Sequence, residues 1–316
     1  MKPTHLPNRI TVDRRRFLLG AGALIAAGLL PRDVLALAGP HSFTHGEVTV
    51  MVLSDGHLTL PVSLIGANAS PEDVKAVLAA IGVTGETMQP ATNPTLIKAG
   101  NDLILFDTGA GAGLYETAGK LKDSLAGASI SPGDVTKVVF THAHPDHLFG
   151  TSADGGALTF PNATHYVAQG EWDFWTHPDT PGKLPEQMRP IALGAQKHLG
   201  AAKEKVVMVK PGEEIAAGIT VIDTKGHTPG HVSFAVPGDG GGLIIVGDAI
   251  PSAALYFPNP GWHFGFDADK DQAVASRQAL LDRAATDKAK LLGYHWTYPG
   301  LGYAERDGTA YKFVPA

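Results

Sequence analysis

Four short apolar runs of this chain each end in a histidine or an aspartate, and that pattern limits the folds open to it. Val138-Val139-Phe140 runs into Thr141-His142-Ala143-His144-Pro145-Asp146-His147. Thr220-Val221-Ile222-Asp223 runs into Thr224-Lys225-Gly226-His227-Thr228-Pro229-Gly230-His231. Leu243-Ile244-Ile245-Val246 leads to Gly247-Asp248, and Leu291-Leu292-Gly293-Tyr294 to His295. Short runs rich in Val, Ile and Leu read as buried strands when turn residues bound them. Strand ends gathered along one sheet edge would bring these side chains together, where open α/β sheets commonly place their sites.

Further runs of the same type lie at 48–53, 103–106, 165–167, 206–209, 219–222 and 232–236, with a final strand expected around Tyr311-Lys312-Phe313. Helical spacing recurs at 71–81, 112–127 and 269–286. The first of these opens with Ser70-Pro71-Glu72-Asp73, an N-cap followed by Pro and early acids. No repeat or low-complexity linker interrupts the chain, so one domain of mixed strands and helices is expected. The absence of Cys among 316 residues excludes disulfides, cysteine zinc sites, iron–sulfur clusters and cysteine nucleophiles, and leaves 14 His to carry such chemistry.

The first cluster offers three imidazoles and a carboxylate within six residues, donors suited to Zn, Mn, Fe or Co. His142 and His144, two apart, can converge on one ion. A tight turn after Pro145 can aim Asp146 and His147 at a second. Two ions about 3.5–4 Å apart form a clamp across a reacting group. They need a bridging anion, for which Asp248 is the candidate. His41, His45, His57, His165, His177, His198 and His263 lack this context and read as surface or core residues.

The N-terminus reads as an address. Arg14-Arg15-Arg16-Phe17-Leu18-Leu19 opens an uncharged stretch over 17–30, shorter than the about 20 residues a membrane-spanning helix needs. Ala36-Leu37-Ala38 supplies a small-x-small cleavage site, placing the cut after Ala38. The Arg pair resembles a twin-arginine signal, with Asp13 where Ser or Thr is more usual. We therefore expect a signal over 1–38 and a mature domain over 39–316. A retained membrane anchor is the alternative. Losing 1–38 removes six basic residues of 25 and two acidic of 31, leaving net −10. An acidic chain of this kind disfavours nucleic acid and anionic lipid as partners.

The run His142-x-His144-x-Asp146-His147, then Gly226-His227-Thr-Pro-Gly-His231, Gly247-Asp248 and a late His295 resembles the metallo-β-lactamase superfamily over nearly the whole mature chain. Methyl parathion hydrolase-like proteins are the most similar group within it. That similarity rests on Leu53-Ser54-Asp55-Gly56, Phe160-Pro161-Asn162-Ala163, Asp173-Phe174-Trp175 and the segment 295–303. The resemblance implies an αββα sandwich, two mixed sheets with outer helices. It assigns His142, His144 and His227 to one ion, Asp146, His147 and His295 to the other, and Asp248 to both. His231 is then a structural residue. Asp107 has two readings, an acceptor fixing a ligand tautomer or a turn residue bonding its own backbone.

The implied activity is hydrolysis by a metal-bridging hydroxide held on two divalent ions, Zn first, with Asp146 and Asp248 as catalytic carboxylates. Tyr115, Trp175, Leu255, Tyr256 and Phe257 are the expected substrate contacts, suited to an uncharged apolar ester, lactone or aryl phosphotriester. His144 stands where oxygen-reducing diiron relatives carry Glu, and Asp248 where true β-lactamases carry Cys or Ser. Glyoxalase II-type thioesterases carry a helical glutathione-binding region after the last ligand, where a final strand around Tyr311-Lys312-Phe313 is expected here instead. N-acyl homoserine lactonases carry a Tyr shortly after the bridging Asp, which Ala249-Ile250-Pro251 does not supply. Such a lactonase, or a non-catalytic periplasmic metal-binding protein, are the alternatives. The expected setting is bacterial and periplasmic or secreted, through the twin-arginine export machinery, without stable membrane association after cleavage and with a homodimer as an option.

Overall fold

The computed structural model describes residues 39–216 and 218–316, so the expected signal lies outside the described residues. Two seven-stranded sheets lie face to face, and each is assembled in chain order. The first runs His41–His45, Val48–Val52, Thr95–Ala99, Asp102–Phe106, Lys137–Val139, Thr164–Ala168, Val206–Val209. Its strands pair antiparallel as far as Asp102–Phe106 and parallel beyond it. The second runs Glu214–Ala216, Ile219–Asp223, Val232–Val236, Leu243–Ile245, Lys290–Leu292, Leu301–Asp307, Ala310–Pro315. Here Leu243–Ile245 and Lys290–Leu292 pair parallel and their neighbours antiparallel.

Alternation explains the sandwich. In Val48–Val52 the residues Val48, Val50 and Val52 are buried while Thr49 faces solvent, the period of a pleated strand. Val50, Ile97, Ile104 and Phe106 meet Val221, Phe234, Val236 and Ile245 between the sheets. The rings of Phe106 and Phe234 lie 5.2 Å apart at the centre of that layer. Helices cover both outer faces. Leu121, Leu125, Ala192, Ala195 and Leu199 pack on the first sheet, and Leu280, Leu281 and Ala284 on the second. The result is the expected αββα arrangement, and no helix among the described residues is long and apolar enough to cross a membrane.

The helices at Pro71–Ala80 and Lys270–Asp287 form where the spacing predicts them. Ser70 and Asp269 cap them by accepting from Asp73 N and Gln272 N. The expected helix over 112–127 is present only as Leu121–Gly127. Glycines stop it earlier: Gly109, Gly111, Gly113 and Gly119 all take positive φ, between +67° and +87°. A Cβ on Gly119 would sit 2.1 Å from the Gly111 carbonyl oxygen, so the loop closes on itself through a contact only glycine allows. Buried Asp55 holds its ends, accepting from Ala110 N, Gly119 N and Leu121 N at 2.8, 3.1 and 2.8 Å. Helices Gln169–Thr176 and Arg189–Ala202 were not evident from spacing.

Candidate metal centre

The strand Lys137–Val139 delivers the first cluster to the edge between the sheets, where Thr141 O accepts from Val232 N of the second sheet at 3.0 Å. Pro145 holds His144 in an extended conformation and starts the short helix Pro145–Leu148. That turn brings Asp146 and His147 back beside His142. Asp248 enters from the second sheet after Gly247, whose φ is +53°. A Cβ there would meet His231 Nε2 at 2.8 Å and Thr141 Cβ at 2.9 Å. Glycine is therefore what lets Asp248 reach the cluster.

Seven side chains converge. The donor atoms form three groups, His142–His144–His227, His142–His147–Asp248 and Asp146–His147–His295, each within 4.8 Å of one another. His227 Nε2 lies 3.3 Å from Asp248 Oδ2. His147 Nε2 is 3.4 Å from Asp248 Oδ1 and 3.3 Å from Asp146 Oδ2. His295 Nε2 is 3.2 Å from Asp146 Oδ2 and 3.4 Å from Asp248 Oδ2. Ligands about 2.0–2.1 Å from a tetrahedral ion stand about 3.3 Å from each other, so the spacing fits a shared cation. His142 Nε2, His147 Nε2, Asp146 Oδ2 and Asp248 Oδ1 are buried without any hydrogen-bond partner. Converging orphaned lone pairs of this kind call for a positive charge between them. The donor set thus fits divalent ions.

The opposite ring nitrogens are occupied, which fixes the tautomers. His147 Nδ1 donates to Asp107 at 2.8 Å, His227 Nδ1 to Asp267 at 2.9 Å, and His295 Nδ1 to Ala91 O at 2.8 Å. His142 Nδ1 lies 3.0 Å from Thr141 Oγ1, which itself donates to Asp107. Each turns its Nε2 inward. His144 differs: its Nδ1 is the inward atom, 2.9 Å from His227 Nε2. Tyr294 donates to the Asp146 carbonyl at 2.6 Å, and His231 Nε2 accepts from Asp248 N at 3.0 Å.

Charge follows from burial and neighbours. Burial, with the surrounding imidazoles, holds His142 and His144 well below the ordinary histidine range, so both are neutral donors. Against burial, Asp248 and Asp146 lift His295 to about 10. Against the same burial, His295 and His147 hold Asp248 well below the carboxylate range. Without a cation the cluster balances its carboxylates with imidazolium protons, and a divalent ion would displace them.

Asp107 accepts from a cluster histidine, so the tautomer-fixing reading of the two is the one realised. His231 is structural, bound to Thr224 Oγ1 and Asp248 N. His45 and His165 are core histidines, 1% and 0% exposed. Tyr115 is half-buried beside Leu58, Ala110 and Ala118. Burial and the charge of Asp146 push its phenol up to about 12, so it stays a donor at neutral pH. Three expected substrate contacts are corrected. Leu255, Tyr256 and Phe257 are fully buried, packed with Trp296, Phe264 and Leu281 under the helix Lys270–Asp287. Trp175 meets the cluster, its ring centroid 5.8 Å from His144, but at 2% exposure it backs that ligand rather than lining an open wall. Half-buried Phe266, 6.5 Å from His144, is the more accessible ring there. Asp267, Arg277, Glu171 and Phe266 were not singled out for the site from sequence; the acids Asp267 and Asp269, two apart at the opening of the 269–286 segment, gave the only signal for Asp267.

A cavity of about 370 Å³ lies beside His295, walled by Met88, Pro90, Ala253, Ala254 and Trp296. It offers apolar surface next to one of the triads.

The family model of the metallo-beta-lactamase superfamily matches residues 89–295. Among solved structures, the dizinc quorum-quenching lactonase AidC, in complex with a product, superposes with a TM-score of 0.83 at 29% identity, over 89% of this chain and 98% of its own. The hydrolase AbOPH of the beta lactamase superfamily gives 0.82 at 28% identity, over 88% and 98%. The N-acyl homoserine lactonase AttM of Agrobacterium fabrum is 34% identical over 117 residues, 36% of this chain and 40% of that protein.

Proposed function

Because the chain belongs to the metallo-β-lactamase superfamily and is a metal-dependent hydrolase, we propose that it opens the ring ester of lactones, N-acyl homoserine lactones included, at a centre of two zinc ions. The observation that carries this reading is the position of Asp248. Its carboxylate lies 3.3 Å from His227 Nε2 on one side and 3.4 Å from the Nε2 atoms of His147 and His295 on the other. One carboxylate with imidazoles on both sides suits a pair of ions better than one. His142, His144 and His227 would hold one, Asp146, His147 and His295 the other, with Asp248 shared. Likeness to a dizinc lactonase over nearly its whole length supports the pairing.

Two such ions supply Lewis acidity and a water acidified towards neutral pH. The protein's own groups do the rest. Asp107, Asp267 and the Ala91 carbonyl keep the histidine protons away from the inward face. Tyr115 remains a protonated phenol on the glycine loop, able to donate to a polar substrate oxygen, a role that the segment after Asp248 leaves open. The apolar cavity beside His295 and the ring of Phe266 provide surface for an acyl arm.

The test is turnover by zinc-loaded protein of N-acyl homoserine lactones of graded chain length, with simple aryl esters and aryl phosphotriesters in parallel. Lactone opening is followed by proton release and product chromatography. Higher kcat/KM on lactones than on the other two classes is expected. A preference for phosphotriesters would reassign the substrate, and no turnover of any class would favour a binding role.

A further inference from the structure

We infer that Glu171 is a positioning residue that sets the His142–His144–His227 triad and the ring behind it as one unit, and leaves the other triad untouched. This deepens the two-ion reading above and rests on it. Glu171 sits on the helix Gln169–Thr176 and is 1% exposed. Its Oε1 accepts from Ala143 N at 2.8 Å and from Trp175 Nε1 at 2.6 Å. Its Oε2 accepts from Thr228 Oγ1 at 2.7 Å and from Gly230 N at 3.0 Å.

Those partners are not scattered. Ala143 is the residue between His142 and His144. Thr228 follows His227. Trp175 places its ring edge-on to His144. A single carboxylate thus ties down the two loops, from different sheets, that bring three imidazoles to one point. Gly230 permits the approach, since a Cβ there would fall 1.9 Å from Glu171 N.

The chemistry of the pocket demands an anion. All four partners are donors: two backbone N–H groups, an indole N–H and a hydroxyl. A carboxylate satisfies all four with its two oxygens. The isosteric amide of Gln would accept from two and turn its own N–H groups against the other two, leaving buried donors unmatched. The second triad is braced by Tyr294, the Ala91 carbonyl and Asp107, the last of which also reaches His142 through Thr141 Oγ1. None of these touches Glu171. All four Glu171 contacts therefore fall on the side of the first triad, and damage to Glu171 should be confined to that side.

Glu171→Gln tests this by titration of the metal-stripped full chain with Co²⁺ alone, read by its absorption bands and by elemental analysis after chelator competition. His227→Ala and His295→Ala provide reference spectra for loss on each side. Wild type should take two ions. Glu171→Gln should bind one as wild type does and the other about 10–100-fold more weakly, the usual scale for losing a ligand's support. Its spectrum at one equivalent should match that of His227→Ala. The emission of Trp175, isolated by difference against Trp175→Phe, should shift, because its indole N–H loses a charged acceptor. Glu171→Gln that keeps both affinities, or loses both in parallel, overturns the inference. If Glu171→Gln does not fold, Thr228→Val removes one of the four donors and should weaken the same ion by less; an unselective effect of Thr228→Val overturns it equally. A wild type that takes a single ion at saturation instead overturns the two-ion reading.

Discussion

Asp267 Oδ1 accepts from His227 Nδ1 at 2.9 Å while its Oδ2 lies 3.3 Å from the guanidinium of Arg277. Arg277 is itself fully buried, stacked on the Tyr256 ring at 4.3 Å and donating to Ala249 O and Trp262 O. A cluster imidazole is thus fixed through a carboxylate to an arginine that also holds the backbone one residue after Asp248. Asp267→Asn should lower metal affinity about 10–100-fold through loss of tautomer control at His227. Arg277→Met removes the buried guanidinium that faces Asp267 and should cost about 3–5 kcal/mol of stability. Chelator competition measures the first and urea denaturation of metal-free protein the second.

Trp175 belongs to the support of the cluster rather than to its mouth. Trp175→Ala removes a buried ring and orphans one oxygen contact of Glu171, a change that should cost about 3–5 kcal/mol. Activity should fall by one factor for short and long acyl lactones alike. Selective loss on the long substrates, with stability intact, would return Trp175 to the pocket.

Phe266 should behave in the opposite way. Its half-buried ring lies beside His144 and packs only in part against the core, through Phe264, so truncation should cost substrate contact more than stability. Phe266→Ala should raise KM for long acyl chains about tenfold with kcat nearly unchanged, as loss of uniform apolar binding does. Steady-state kinetics across the chain-length series decides it.

His165 lies stacked on Phe140, at 6.2 Å between ring centres, and burial, aided by Lys205, lowers its pKa from 6.5 to about 4. The unfolded chain binds that proton first as pH falls. The stabilising contribution is therefore whole above about 6.5 and lost on acidification towards about 4. Between pH 7 and pH 5 the loss is about 2 kcal/mol. His165→Phe should lose about 2 kcal/mol less than the parent over that interval, measured by urea denaturation of metal-free protein at both values.

The export expectation is testable on the precursor. Replacing Arg14 and Arg15 with Lys should hold it in the cytoplasm if a route that reads the Arg pair is used. Fractionation showing normal periplasmic accumulation of this variant would assign the signal to another type.

The cluster was legible in the sequence because its donors sit at the ends of apolar runs, and a run's end is a local property. His142, His144, Asp146 and His147 share one turn, so their convergence needs no knowledge of the rest. The supports were illegible for the complementary reason. Asp267 is 40 residues from His227 and Glu171 is 28 from Ala143, and nothing local marks an acid near a helix start as a partner for a distant loop. Apolar spacing misled at 112–127, where Leu114 and Ala118 keep a helical rhythm while Gly113 and Gly119 impose left-handed turns. It misled again at Leu255, Tyr256 and Phe257, because an aromatic run near a site reads alike whether it faces substrate or core.

Each sheet is completed before the chain begins the next, and the turn at Lys210-Pro211-Gly212 joins two edge strands rather than interrupting a sheet. His142, His144, Asp146 and His147 come from the part before that turn, and His227, Asp248 and His295 from the part after it. Neither fragment can assemble the centre alone. A chain cut at Gly212, whose surroundings are open, would leave two pieces that meet through the apolar layer between the sheets, and metal uptake would then report that the two halves of the sandwich had come together.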